Sequence, residues 1–150
     1  RVYLPAVRRP FKAVGAALHK AAPRTKVILP DFPADAPAEK IAMGWHCDGR
    51  VSAVLGTHTH VQTGDARILP QGTAYLTDAG MTGPYDSVLG MKKDVAIKRL
   101  ILQTAHKYEV AEHDVRVCGV HLQIDEDTGK ALSIEPFMVP RPLTTTLTKS

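Results

Sequence analysis

The chain has few cysteines, few aromatic residues and no long apolar run, and each shortage removes a class of protein. Cys47 and Cys118 stand alone and far apart with no CxxC pair, so a thiolate-ligated zinc site has no support. Two isolated cysteines without a secretion signal point to reduced thiols and a cytoplasmic setting. At 5% aromatic residues there are too few rings for base-stacking platforms. No stretch approaches the roughly 20 apolar residues of a membrane span. The opening "RVYLPAVRRPF" lacks the continuous apolar segment of a signal peptide. The net charge of +4 comes from scattered residues such as Arg8 and Arg9, Lys92 and Lys93, Lys98 and Arg99, not from a basic block. A mildly basic solvated surface follows, and nucleic acid is not indicated as a partner.

What is present is ordinary for a soluble globular domain: 150 residues, 44% apolar and 23% charged, enough to bury one core. Arg1 is not a natural start residue, so the chain is expected to begin inside a longer protein.

Periodicity suggests an α/β chain. Pro10 can open a helix through "FKAVGAALHKAA", which Pro23 stops. "KVILPDF" reads as a short buried strand. "APAEKIAMGWHCDG" is predicted as a helix with Ile41, Ala42 and Trp45 on its apolar face and Gly49 at its end. "RVSAVLG" is the next buried strand, giving the helix–strand alternation of parallel strands linked by crossovers. "ARILPQGTAYLTD" predicts two short strands around a Pro-Gln-Gly turn, and "AGMTGPYDSVLGM" a structured loop. "KDVAIKRLILQT" has helical spacing. The segments on both sides of "DEDTGK" alternate apolar and polar residues as a hairpin does. "PRPLTTTLTKS", residues 140–150, reads as a flexible polar tail after a domain spanning 1–139.

The chemistry concentrates at "VSAVLGTHTHVQTGD", where a buried strand ends in Thr57-His58-Thr59-His60. If the chain stays extended there, residues i and i+2 project to one side, and both imidazoles aim at a single point. Imidazole is the commonest metal ligand, and ligands of open α/β sheets sit beyond the carboxyl ends of strands. His58 and His60 are therefore candidate metal ligands, with two solvated loop histidines as the alternative. His19, His46, His106, His113 and His121 fall on helix, strand-flanking or hairpin positions, where structural or surface roles are expected.

The stretch "GRVSAVLGTHTHVQTGDARILPQGTAYLTDAGMTGPYDSVLGM", with "AEKIAMGWHCDG" before it and "DEDTGKALSIEPF" after it, resembles the second half of the YmdB-type bacterial metallophosphoesterases of the calcineurin-like superfamily. The resemblance spans nearly all of Val2–Val139. It implies the C-terminal half of a calcineurin-like α/β sandwich, and a phosphodiesterase acting on cyclic nucleotides of the 2′,3′-cyclic AMP type. It further implies that His58 and His60 are the last protein ligands of a dinuclear centre of two divalent metal ions, iron or manganese, with a small phosphodiester as substrate. A homo-oligomer stays open.

Two departures follow from the same resemblance. The family's Asp-Phe-His-Ala-Glu segment, which supplies a third histidine, is here Asp31-Phe32-Pro33-Ala34-Asp35. Pro33 has no donor atom, which leaves Asp31 or Asp35 to bring a carboxylate. The family's early aspartate, Glu-Asn pair and Asn-His segment lie upstream of anything in this chain, which contains no asparagine. The expectation is a parent phosphoric diester hydrolase, with no catalytic residue in this chain and little or no activity in it alone. A degenerate member that binds nucleotide, RNA or protein without hydrolysis is the alternative.

Overall fold

Prolines open both helices of the first layer: α1 runs Pro10–Ala21 and α2 Pro37–Cys47. A ring at the first helical turn removes an N–H that has no intrahelical partner and presets φ. The computed structural model describes residues 10–30, 32, 34–103 and 107–140. Within them follow β1 (Ala53–Leu55), β2 (Arg67–Ile68), β3 (Ala74–Leu76), β4 (Gly83–Pro84), α3 (Lys93–Leu102), β5 (Val115–Ile124) and β6 (Ala131–Val139).

The strands form two three-stranded sheets, ordered β1-β3-β2 and β4-β5-β6. β1 pairs with β3 in parallel, Val54 opposite Tyr75, while β2 runs antiparallel to β3. The hairpin expected around "DEDTGK" is β5–β6, in register from Val117 opposite Val139 to Gln123 opposite Ser133. Alternation placed this hairpin correctly because each side chain repeats its facing every second residue. One face of the first sheet carries α1 and α2 through Leu18, Met43, Cys47, Val51, Val54, Leu69 and Tyr75. Its other face meets the second sheet over small side chains, Ala53, Ala74 and Ala131, with Leu55, Leu122 and Ile134 around them. The layers are therefore helices, sheet, sheet. Fully burying a Val, Leu or Met side chain stabilises by about 1.5–3 kcal/mol, and the larger of these residues sit between α2 and the first sheet.

Three expectations need correction. "KVILPDF" is not a strand among its described residues: the Ile28 carbonyl accepts from Ser52 N–H, but Ile28 N–H is satisfied by the Ser52 hydroxyl, so no ladder propagates. With no strand there among the described residues, α2 does not link two parallel strands as the expected crossover; the parallel partner of β1 is β3, reached through β2 and a polar loop. The third concerns α2. Its buried stripe is Lys40, Met43, Gly44 and Cys47, whereas the predicted apolar face is out in solvent, with Trp45 at 50% exposure. Gly44 is what lets the helix sit this way, because a Cβ there would lie 2.5 Å from Tyr75 Cδ2. Trp45 instead lies under the Arg67 guanidinium, 5.5 Å from ring centroid to Cζ.

The loop expected at 79–91 contributes the short β4, paired to β5, and is otherwise irregular. α3 buries Ala96 and leaves Leu100 and Ile101 at 74% and 72% exposure. Beyond the second end of α2, Asp48 is buried and accepts from the N–H groups of Gln71 and Thr73. Of the tail expected from 140 onward, residues 141–150 lie outside the described residues. No described helix is long and apolar enough to cross a membrane.

Candidate metal centre

Gly56 ends β1, and its neighbourhood explains why glycine stands there. A Cβ would lie 1.8 Å from the Thr77 carbonyl oxygen and 2.9 Å from Lys40 Cδ. The backbones after β1 and after β3 thus run side by side, joined by Gly56 N–H to the Leu76 carbonyl and Ala79 N–H to the Gly56 carbonyl, each 2.9 Å. The histidine loop is laid along the segment Thr77–Gly80.

The chain does not remain extended through the histidines. It bends at 58–61, with φ of +129° at His58 and +66° at His60. Positive φ is uncommon for residues with a Cβ and costs of order 1–3 kcal/mol unless the surroundings enforce it. The enforcing group is Asp78, fully buried at the end of the β3 segment. Its Oδ2 accepts from Thr59 N–H at 2.7 Å and Thr59 Oγ1–H at 2.8 Å. Its Oδ1 accepts from Gly80 N–H at 2.9 Å. Burial pushes the Asp78 pKa up, but the hydrogen bonds from Gly80 and Thr59 and the Lys40 charge outweigh it and hold the carboxyl below its ordinary range.

The expectation of two imidazoles aimed by strand alternation is therefore replaced by two histidines set by a bend. Both are exposed, and each engages a different loop. His58 Nε2 lies 3.1 Å from Asp35 Oδ1, just before α2. His60 Nδ1 lies 3.1 Å from the Leu89 carbonyl oxygen, in the loop before α3. That contact calls for the Nδ1–H tautomer, which leaves the His60 Nε2 lone pair open.

As a donor set these residues fit a divalent metal in part. Two ligands about 2.1 Å from one ion, at right angles, lie roughly 3 Å apart, which is the His58–Asp35 spacing. Imidazole and carboxylate together suit iron, manganese or zinc. No group of three or more His, Cys, Asp or Glu side chains that could close a metal site is present among the described residues. Asp31 and Pro33 lie outside them.

The loop is tied on two further sides. Asp65 accepts from Thr63 Oγ1–H at 2.7 Å and from Thr77 through its N–H and hydroxyl. Burial raises its pKa, but these hydrogen bonds outweigh it and hold the carboxyl below its ordinary range. The Gln62 amide donates to the carbonyls of Ala79, Gly119 and Phe137, linking the loop to the second sheet. Sequence reasoning missed Lys40, Asp65 and Asp78. Their one signal was three charged residues in otherwise apolar or turn-like segments. The other described histidines take structural or surface positions, as expected: His46 packs edge-on against Phe11 at 5.2 Å, and His121 is exposed on β5. His106 lies outside the described residues. Both cysteines are free.

This α/β fold is shared with solved structures. A hypothetical protein from Thermus thermophilus superposes with a TM-score of 0.83 at 35% identity, over 92% of this chain and 53% of that one. A novel phosphatase from Mycoplasma pneumoniae gives 0.81 at 32% identity, over 93% of this chain and 50% of that one. The chain belongs to the YmdB-like protein family, which matches residues 1–137. It is 50% identical over 139 residues to the 2′,3′-cyclic-nucleotide 2′-phosphodiesterase of Bacillus subtilis strain 168, covering 93% of this chain and 53% of that protein. The chain thus spans about half the length of the relatives it matches.

Proposed function

We propose that this chain is the metal-ligating C-terminal part of a phosphodiesterase that hydrolyses cyclic nucleotides of the 2′,3′ type. The 50% identity over 139 residues with a relative of that name carries the reading. His58 and His60 would hold divalent iron or manganese in a dinuclear centre, with the Asp35 carboxylate beside His58 as a further donor. A bound pair of cations supplies a polarised phosphoryl group and an acidified water for in-line displacement. The chain's own share is orientation: the Leu89 carbonyl fixes the tautomer of His60 and leaves its Nε2 available as a ligand. The remaining ligands and the proton donor are assigned to residues outside this chain.

The test is turnover of a bis-aryl phosphodiester and of 2′,3′-cyclic AMP by the full-length protein with added manganese, alongside metal content, in wild type and His58→Ala. Manganese-dependent turnover, with metal lost in the variant, is expected. A second reading, a non-catalytic member that binds nucleotide, is favoured by Pro33 standing where the family's third histidine is expected. Nucleotide binding without turnover would establish it instead.

A further inference from the structure

Lys40 is 1% exposed on the buried stripe of α2, and its ammonium lies against Asp78 and the Thr57 carbonyl. Nothing in the fold of α2 requires a charge there, since the stripe continues with Met43, Gly44 and Cys47. A buried ammonium and a buried carboxylate each lose hydration worth several kcal/mol, and such a pair is weak evidence for stability. What this pair does have is an address. Asp78 Oδ2, 3.6 Å from Lys40 Nζ, is the same oxygen that takes both the N–H and the hydroxyl of Thr59. Thr59 is the residue between the two histidines, and Lys40 also grips the carbonyl of Thr57, immediately before them. The Thr59 hydroxyl lies within reach of the Val61 carbonyl and Val61 N–H as well, at 3.2 and 3.4 Å, closing the turn around His60.

We infer that Lys40, Asp78 and Thr59 are positioning residues: a buried clamp that holds the backbone turn at His58 and His60, and through it the placement of the two imidazoles as ligands. Lys40 anchors the carbonyl entering the turn, and Asp78 the amide at its centre. The Thr59 hydroxyl is the clamp's outermost contact, and its removal leaves the buried ion pair whole. The clamp accounts for the positive φ at both histidines. The inference rests on the reading of His58 and His60 as ligands.

The experiment uses the intact protein and three forms of residue 59: Thr59, Thr59→Val and Thr59→Ser. Manganese affinity is measured by titration calorimetry, and the His58 and His60 ring signals by ¹H–¹⁵N NMR without metal. Loss of a group that orients a ligand typically weakens metal binding by about 10- to 100-fold. Thr59→Val is expected to lose about 10-fold with its melting curve preserved, and to displace both sets of ring signals. Thr59→Ser, which restores the hydroxyl, is expected to return affinity to within about twofold. Asp78→Asn, assayed on its folded fraction by circular dichroism, should lose affinity in the same direction. Wild-type affinity and unmoved ring signals in Thr59→Val overturn the clamp. Ring signals displaced in a protein that binds no manganese support the clamp while overturning the ligand reading.

Discussion

Lys40 Nζ and Asp78 Oδ2 stand 3.6 Å apart with both side chains sealed from solvent, one on α2 and one after β3. Removing one member of such a pair strands the other as an unmatched buried charge, at a cost of about 3–5 kcal/mol, while removing both is far cheaper. Lys40→Met and Asp78→Asn should each be strongly destabilising in urea unfolding. The double variant should lose much less than the sum of the two. Additive losses would mean the two charges are held independently.

Acid should unfold the protein through Asp65 and Asp78. Both folded-state pKa values lie below their ordinary value, each through hydrogen bonds that outweigh burial. In the window between the depressed folded values and the unfolded value near 3.9 the unfolded chain binds more protons, so stability rises with pH. The contribution is complete above about pH 5 and is lost as pH falls through the folded values. Urea midpoints measured from pH 6 to pH 3 should fall, and the fall should be shallower in Asp65→Asn.

Two glycines in helices should respond to alanine with opposite signs. Gly15 of α1 faces open space, with Arg50 Nη2 the nearest atom at 3.9 Å, so Gly15→Ala should gain up to about 1 kcal/mol from helix propensity. At Gly44 the same gain is opposed by overlap with the Tyr75 ring, at about 1–3 kcal/mol for an overpacked core. Thermal melting should place Gly15→Ala above wild type and Gly44→Ala below it.

Manganese binding should separate the three candidate donors. His58→Ala and His60→Ala should each reduce affinity at least about 10-fold. Asp35→Asn should reduce it less, since the amide keeps an oxygen donor and both imidazoles remain. Calorimetry on the three variants checks the order, and an unchanged His60→Ala would remove that residue from the ligand set.

The limits of legibility follow from range. The β5–β6 hairpin was readable because alternation is a local property and its turn residues lie between the strands. The end of β1 was readable for the same reason, and so was the presence of histidines beyond it. Their conformation was not. It depends on an acceptor, Asp78, that reaches the loop only once β3 lies parallel to β1. The rotation of α2 was misjudged for a related cause. Hydrophobic periodicity counts Lys40 as solvent-facing and Trp45 as core. It takes no account of a lysine whose counter-ion lies far along the chain, nor of a glycine that accommodates Tyr75.

α2 is fastened at both ends to the segments that flank β3: Lys40 to Asp78 on one side, and Asp48 to the amides of Gln71 and Thr73 on the other. Eight residues of helix span about 12 Å, so the helix works as a short strut with a rivet at each tip. A strut cannot stretch to absorb a shift at one tip. Disturbance of the Gln71–Thr73 turn, at the opposite end of β3 from the histidines, would reach them as a mechanical displacement.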